Sequence, residues 1–190
     1  MKKNIFLILV AMMASMSVSA QDEKHEIGVF YGIESISNIA SFVTSGLAAS
    51  VGGQGSFWGP VGVEYYYHVS PVVAVGGVAS IAGCKAENEK TKSEDFNEKF
   101  ITVMPSVKFN WLRKKSFGMY SGLSAGAMFV SLTPSDAAKA QDSSFQDESI
   151  TIFMFQATAL GVEFGGKVRG FAEVGAGEKG YLCAGLRYKF

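Results

Sequence analysis

The sequence predicts an all-β protein, an eight-stranded antiparallel up-and-down transmembrane β-barrel. Three observations support this prediction. The chain starts with an apolar segment typical of export, continues in short segments that alternate apolar and polar residues, and joins these segments by links that are alternately long and short. Together they describe a chain that leaves the cytoplasm and crosses a membrane with strands rather than helices.

The first 20 residues have the layout of a secretory signal peptide. Two lysines precede an apolar run over residues 5–13, and the Val-Ser-Ala tripeptide ending at Ala20 offers the small residues that a signal peptidase reads. The run is too short for a spanning helix, which needs about 20 apolar residues. We therefore expect residues 1–20 to be a cleaved signal peptide and residues 21–190 to form one β-barrel domain.

The composition favours a β-protein with two differently solvated faces. The chain has 22 Gly, 15 Phe and 7 Tyr but only 4 Pro, and no run after the first 20 residues is long enough for a membrane-spanning helix. The 17 basic and 17 acidic residues balance, so there is no basic surplus to bind nucleic acid.

Alternation is clearest at the end of the chain. Between residues 182 and 190, even positions are apolar and odd positions are small or charged. Residues 61–68 and 101–111 follow the same period of two, which places successive side chains on opposite faces of a strand. The predicted strands cover residues 26–34, 58–68, 72–83, 100–112, 117–131, 150–164, 170–178 and 181–190.

The predicted links separate the two ends of the barrel. Long links over 35–57, 84–99 and 132–149 alternate with short ones, as in outer-membrane barrels whose long loops face outwards and whose short turns lie in the periplasm. The link 84–99 is dense in Lys, Glu and Asp, so we expect it to be an exposed surface loop. The last outer link, 178–180, is predicted to be a tight turn with its glycine in a left-handed conformation.

Five charged residues lie on the predicted inward face. A barrel of eight strands is only just wide enough for side chains to fill, and buried charges have to be paired. We therefore expect these charges to form a structural network across the lumen, with an ion path as the alternative. They are Glu64, Lys108, Glu163, Glu173 and Arg187.

The two cysteines, Cys84 and Cys183, are both predicted to lie at the outer end and on the inward face. Export would deliver them to an oxidising setting in which a disulfide persists. A bridge requires Cα atoms within about 7 Å, however, and the third and eighth strands are not neighbours. A bridge and two separate buried thiols both remain open.

No pattern in the sequence points to catalysis, a metal ion or a cofactor. His25 and His68 are the only histidines, and both are predicted to be surface or rim residues at the periplasmic end. Two histidines and two cysteines at these separations give no metal-ligand spacing. A serine near a histidine is no signal in a chain this rich in serine, so we expect no enzyme.

The signal peptide, the alternation of glycine and aromatic residues, and the ending Gly-Leu-Arg-Tyr-Lys-Phe together resemble a known group. The chain resembles the small outer-membrane β-barrel domain family, similar in plan to OmpX and the OmpA membrane domain, in versions abundant in Bacteroidota. The resemblance implies that Leu186, Tyr188 and Phe190 are the signal read by the barrel-assembly machinery. It also implies outer-membrane lipids and lipopolysaccharide as partners.

The resemblance implies a location and a fold rather than a task. The leading expectation is a role in envelope structure or surface interaction through the extracellular loops, with no surface ligand specified. A narrow, porin-like channel for ions or small solutes and a lipid-modifying outer-membrane enzyme are alternatives. A soluble lipocalin-like carrier is a further alternative, in which the two faces of each strand would be exchanged.

Overall fold

Eight strands follow one another in a computed structural model of the protein, which describes residues 23–33, 35, 53–88, 94–134 and 148–190. Among these residues there is no helix with the length and hydropathy of a membrane span. The strands are β1 (His25–Ile33), β2 (Gly53–His68), β3 (Val73–Asn88), β4 (Glu94–Arg113), β5 (Phe117–Pro134), β6 (Glu148–Gly165), β7 (Val168–Gly177) and β8 (Leu182–Lys189).

Each strand pairs antiparallel with the next, and β8 pairs with β1 to close the barrel. The predicted fold class is therefore confirmed: an eight-stranded, closed, up-and-down barrel. The closing register places Gly28 of β1 between Glu64 of β2 and Arg187 of β8. Because Gly28 has no side chain, these two charged residues are able to approach each other across β1.

The apolar face of the strands lies outside and the polar face inside. Along β1, for example, Ile27, Val29, Tyr31 and Ile33 are exposed, whereas Phe30 is buried. This arrangement suits a hydrocarbon environment, and it is the reverse of a lipocalin-like carrier, whose apolar side chains line a cavity. The outward residues include the aromatic side chains Trp58, Tyr65, Tyr67, Phe109, Trp111 and Phe190.

The strands extend further at their outer ends than the sequence predicted, so the links between them are shorter. Strand β3 continues to Asn88 and β4 begins at Glu94, so most of the predicted loop 84–99 lies in a hairpin, and only 89–93 falls outside the described residues. The links 35–57 and 132–149 are shortened in the same way, by β2, β5 and β6. The sequence prediction ended each strand where its apolar positions ended, but paired strands remain stable in water with polar residues on both faces.

The tight outer turn between β7 and β8 is as predicted. Gly180 has a φ of +91°, in the left-handed region. A Cβ at this position would also lie only 2.1 Å from the carbonyl oxygen of Ile33, so the turn packs directly against the end of β1. The barrel wall is therefore short on the side formed by β7, β8 and β1, which have 10, 8 and 9 residues.

Candidate functional site

Arg187 is the centre of a charged network inside the barrel. Its Nε donates a hydrogen bond to Glu64 Oε1 at 2.8 Å, and its Nη1 donates to Glu163 Oε2 at 3.0 Å. It also forms ion pairs with Glu26 at 3.6 Å and with Glu173 at 3.5 Å. One guanidinium thus contacts carboxylates from β1, β2, β6 and β7, so it ties together both sides of the barrel.

Lys179 enters the network from the tight outer turn. Its Nζ lies 2.9 Å from Glu64 Oε2 and also hydrogen-bonds Glu173. The same ammonium lies 4.7 Å from the centre of the Phe30 ring, which is within the range of a cation–π contact. The lysine therefore closes the outer end of the network, although it belongs to no strand.

In the half of the lumen at the short-turn end, the ion pairs are formed around two glutamates. Glu26 accepts hydrogen bonds from Lys108 and from His68, whose Nε2 lies 3.0 Å from Glu26 Oε2. Glu163 accepts from Lys189, and from Arg169 Nη1 at 2.8 Å. Both carboxylates, Glu26 and Glu163, therefore have cationic partners inside the barrel.

Neutral hydroxyl groups link the network to the wall. The Tyr120 hydroxyl donates to Glu173 Oε1 at 2.8 Å. The hydroxyls of Tyr66 and Ser106 lie 2.8 Å apart, and Ser124 lies 2.7 Å from Ser106. These bonds satisfy polar side chains that face inwards between the charged residues.

The structure brings together all five charged residues that the sequence placed on the inward face, but it shows that the network is larger. Glu26 and Lys189 were detectable, because they share the inward parity of Gly28 and Arg187. Arg169 was assigned to a turn in the sequence prediction. Lys179 lies in a turn, where side chains do not alternate between two faces, so the sequence pattern does not indicate its direction. The structural role of the network stays a prediction. The residues missed by sequence reasoning are Glu26, Arg169, Lys179 and Lys189.

The disulfide is not decided by the structure. Cys183 is buried in the lumen, pairs with Gly32 of β1, and has no disulfide partner among the described side chains. The backbone of Cys84 lies in β3, where it pairs with β2 and β4, but its side chain is outside the described residues. Strands β1 and β2 separate the two positions. Because the Cys84 side chain is outside the described residues, the bridge between Cys84 and Cys183 stays a prediction.

The two histidines, at the short-turn end of the barrel, have different surroundings. His25 lies outside, with its ring stacked on that of Phe190 at 5.5 Å and its Nδ1 2.7 Å from the Tyr65 hydroxyl. His68 faces inwards and is buried, so the expectation that both are surface or rim residues was wrong for His68. The inward parity of β2, which it shares with Glu64, is the signal that predicts its burial.

The last residue of the chain is paired with the first residue of β1. The backbone of Phe190 exchanges two hydrogen bonds with that of His25, at 3.0 and 2.9 Å. Its ring is exposed on the outside and stacks on Tyr188 at 5.6 Å, while Leu186 is exposed on the same face. The proposed assembly signal therefore presents its apolar side chains outwards at the short-turn end of the barrel.

Deletion of Phe190 is expected to reduce insertion in cells more strongly than folding in detergent. Only two backbone hydrogen bonds and ring contacts at the rim are lost, whereas the outward signal loses its terminal aromatic group. Outer-membrane abundance in cells, measured beside refolding of the purified chain into micelles, separates the two effects. Normal abundance of the truncated protein in the outer membrane contradicts this prediction.

Comparisons with known proteins show that the chain is similar in fold to solved structures. No protein-family model and no curated protein matches the chain. Two solved structures of Ail, the attachment invasion locus protein of Yersinia pestis, are similar to it, and each comparison covers 90% of this chain and 100% of that one. The structure with the heparin analogue sucrose octasulfate has 15% identity and a TM-score of 0.49, and the other has 14% and 0.45. The closed eight-stranded barrel, apolar outside and charged inside, fits a small outer-membrane β-barrel family.

Proposed function

We propose that the protein is a non-enzymatic outer-membrane barrel that acts in envelope structure or surface interaction through the parts that rise beyond the membrane. The observation that carries the proposal is the closed lumen. Arg187, Lys108, Lys189 and Tyr120 are almost completely buried in the interior, and the ion pairs around Arg187 join opposite walls. A barrel filled in this way offers its partners its outer ends rather than its interior.

The filled lumen argues against the channel alternative. An ion that crosses the middle of the barrel would have to separate Arg187 from Glu64 and Glu163. Removing one partner from a buried pair costs about 3–5 kcal/mol, because an uncompensated charge remains in a poorly solvated interior. Several such pairs lie in series here, so a resting conductance is not expected.

Strands β3 and β4 are longer than a membrane span requires, and their excess length supports a surface-exposed hairpin. A tilted spanning strand needs about 9–11 residues, whereas β4 has 20 and β3 has 16. The outward apolar positions of β4 run from Trp111 to Ile101. Beyond Ile101 the strand continues through Glu-Asp-Phe-Asn-Glu-Lys, a sequence suited to water. The hairpin of β3 and β4 therefore supports a role outside the membrane.

The hydrogen bonds of the two histidines are made to a carboxylate and to a phenol. Within the described ranges, His68 hydrogen-bonds Glu26 and His25 hydrogen-bonds Tyr65. A serine nucleophile would require a hydrogen bond to the histidine that acts as its base. Neither of these contacts supplies one.

The purified barrel is expected to show no stable conductance steps in planar lipid bilayers. The physical reason is the chain of buried ion pairs around Arg187. A double variant, Arg187→Ala with Tyr120→Ala, removes two large side chains from the same level and serves as the conducting control. Heat-modifiable migration on a gel establishes that both proteins are folded. Steady single-channel currents from the unaltered protein would favour the channel alternative.

The surface role is tested with a shortened hairpin. Residues 86–96 are replaced by an Asn-Gly turn, which joins Lys85 to its partner Asn97 and leaves the membrane-spanning part intact. Cells that carry the shortened protein are compared with cells that carry the full chain for envelope barrier function and for binding of intact cells to surfaces. A shortened barrel that inserts normally and restores both properties contradicts a role for this hairpin.

A further inference from the structure

The periplasmic mouth contains a polar cavity that the proposed function does not use. Its volume is about 480 Å³, and it lies between the segment before β1, the first short turn and the end of β4. Val69 and Ser70 of the turn form one side of it. The charged and polar groups that line it are Glu23, Lys24, His68 and Arg113.

Beside this cavity lies the buried carboxylate of Glu23, which has no hydrogen bonds among the described residues. The residue is only 6% exposed, and neither carboxylate oxygen has a hydrogen-bond partner among the described residues. The nearest cation, Lys167 Nζ, lies 3.9 Å from Oε1, which is beyond hydrogen-bond distance. A buried carboxylate in this state is costly unless a donor reaches it.

His68 supplies a second buried acceptor beside the same cavity. It is 4% exposed, and its Nε2 faces the Glu26 carboxylate at 3.0 Å, which assigns the ring proton to Nε2 in the neutral imidazole. The other nitrogen, Nδ1, is buried and has no hydrogen-bond partner among the described residues. A backbone hydrogen bond of 2.7 Å from His68 N to the Lys24 carbonyl holds the ring beside the segment that carries Glu23.

Cationic donors line the rest of the cavity. Arg113 Nη2 donates to the backbone carbonyl of Glu23 at 2.6 Å, which holds the guanidinium beside the backbone of that residue. The exposed Lys24 lies at the entrance. Two kinds of group thus meet here: acceptors that lack a donor, and cations that face no carboxylate within hydrogen-bond distance in the described part of the chain.

We propose that this cavity binds a zwitterionic phosphoethanolamine group. The primary ammonium donates to the Glu23 carboxylate and to His68 Nδ1, and the phosphate accepts from Arg113 and Lys24. An ammonium has three donors, enough for both buried acceptors, and charge-assisted hydrogen bonds of this kind are the strong ones.

Other ligand classes fit the cavity less well. A bare anion would leave the Glu23 carboxylate and the His68 nitrogen without donors. A metal ion would require more ligands, since the described residues include no group of three His, Cys, Asp or Glu side chains placed to hold one. The cations around the cavity also oppose a ligand that brings only positive charge.

The position of the cavity suggests where the ligand comes from. It lies at the short-turn end of the barrel, the level of the headgroups in the periplasmic leaflet. The ligand is then the headgroup of phosphatidylethanolamine or a free phosphoethanolamine, which share the same recognised chemistry.

The test is lipid retention by the folded full-length barrel in detergent micelles, measured by native mass spectrometry. The probes are phosphatidylethanolamine, phosphatidylcholine, whose trimethylated nitrogen has no N–H, and free phosphoethanolamine. We expect retention of phosphatidylethanolamine about tenfold above that of phosphatidylcholine, the size of effect that one charge-assisted hydrogen bond gives. Glu23→Gln should abolish most of this preference, whereas Arg113→Gln should lower the retention of both lipids, because both carry the phosphate that Arg113 faces. Lys115→Gln, a change at an exposed residue of the same end that does not line the cavity, should retain the preference.

Equal retention of the two lipids overturns the proposal, and so does a Glu23→Gln barrel that keeps the preference. Binding of free phosphoethanolamine supports the proposal and shows that the headgroup is sufficient. Binding of the lipid alone supports it as well and assigns part of the affinity to the acyl chains. Heat-modifiable migration of every variant establishes that a lost preference does not come from a barrel that failed to fold.

Discussion

Replacement of Arg187 by methionine is expected to lower the free energy of unfolding by about 3–5 kcal/mol, the cost of removing one partner from a buried ion pair. Methionine retains most of the volume of the arginine stem but supplies no charge. Glu64 would keep Lys179 as a partner, and Glu163 would keep Arg169 and Lys189. The loss is therefore that of the central cation, rather than of every contact in the lumen.

The measurement is urea unfolding of the barrel in lipid vesicles, followed by tryptophan fluorescence. Lys115→Met is the matched control, because it removes a cation from an exposed position and is expected to change stability by less than about 0.5 kcal/mol. The double variant Arg187→Met with Glu64→Gln should be less destabilised than the sum of its single variants, since the two residues interact directly. Unchanged stability of Arg187→Met would show that the network does not hold the barrel together.

A single methyl group at Gly76 is expected to destabilise the barrel by about 3 kcal/mol or more, at the upper end for overpacking. Gly76 faces inwards, and a Cβ there would lie 1.8 Å from the carbonyl oxygen of Tyr65 on the neighbouring strand. A backbone atom in a ladder is unable to move aside as a side chain can. The Gly76→Ala barrel must therefore shift β2 against β3 or fail to fold.

The adjacent glycine provides the control. At Gly77 the nearest atom to an added Cβ is the carbonyl oxygen of Met104 at 3.6 Å, an ordinary contact distance. Gly77→Ala should therefore be neutral or slightly stabilising, because alanine reduces the freedom of the unfolded chain. Gly126 and Gly122 repeat the comparison on β5, with carbonyl oxygens at 2.2 and 3.4 Å. The folded fraction on a gel and the urea midpoint distinguish the variants, and equal behaviour of Gly76→Ala and Gly77→Ala contradicts the steric explanation.

The sequence by itself determined the architecture, because the signals for it are local. A period of two reveals which residues share a face, as in the last strand, where Arg187 and Leu186 point to opposite sides. Turn chemistry is equally local, and it identified Gly180 as the left-handed end of a tight turn. The number of strands and the division of their residues between two faces follow from such short-range patterns, whereas the structure decided which face lies outside.

The tertiary structure alone decided which of the inward charges meet. Glu64 and Arg187 are 123 positions apart along the chain, and they are joined because the barrel closes with Gly28 between them. Lys179 belongs to a turn, so no periodicity could place its ammonium in the lumen beside Glu64 and Glu173. The physical reason is that parity fixes the face of a residue, whereas its height and its partner across the lumen depend on the register and closure of all eight strands.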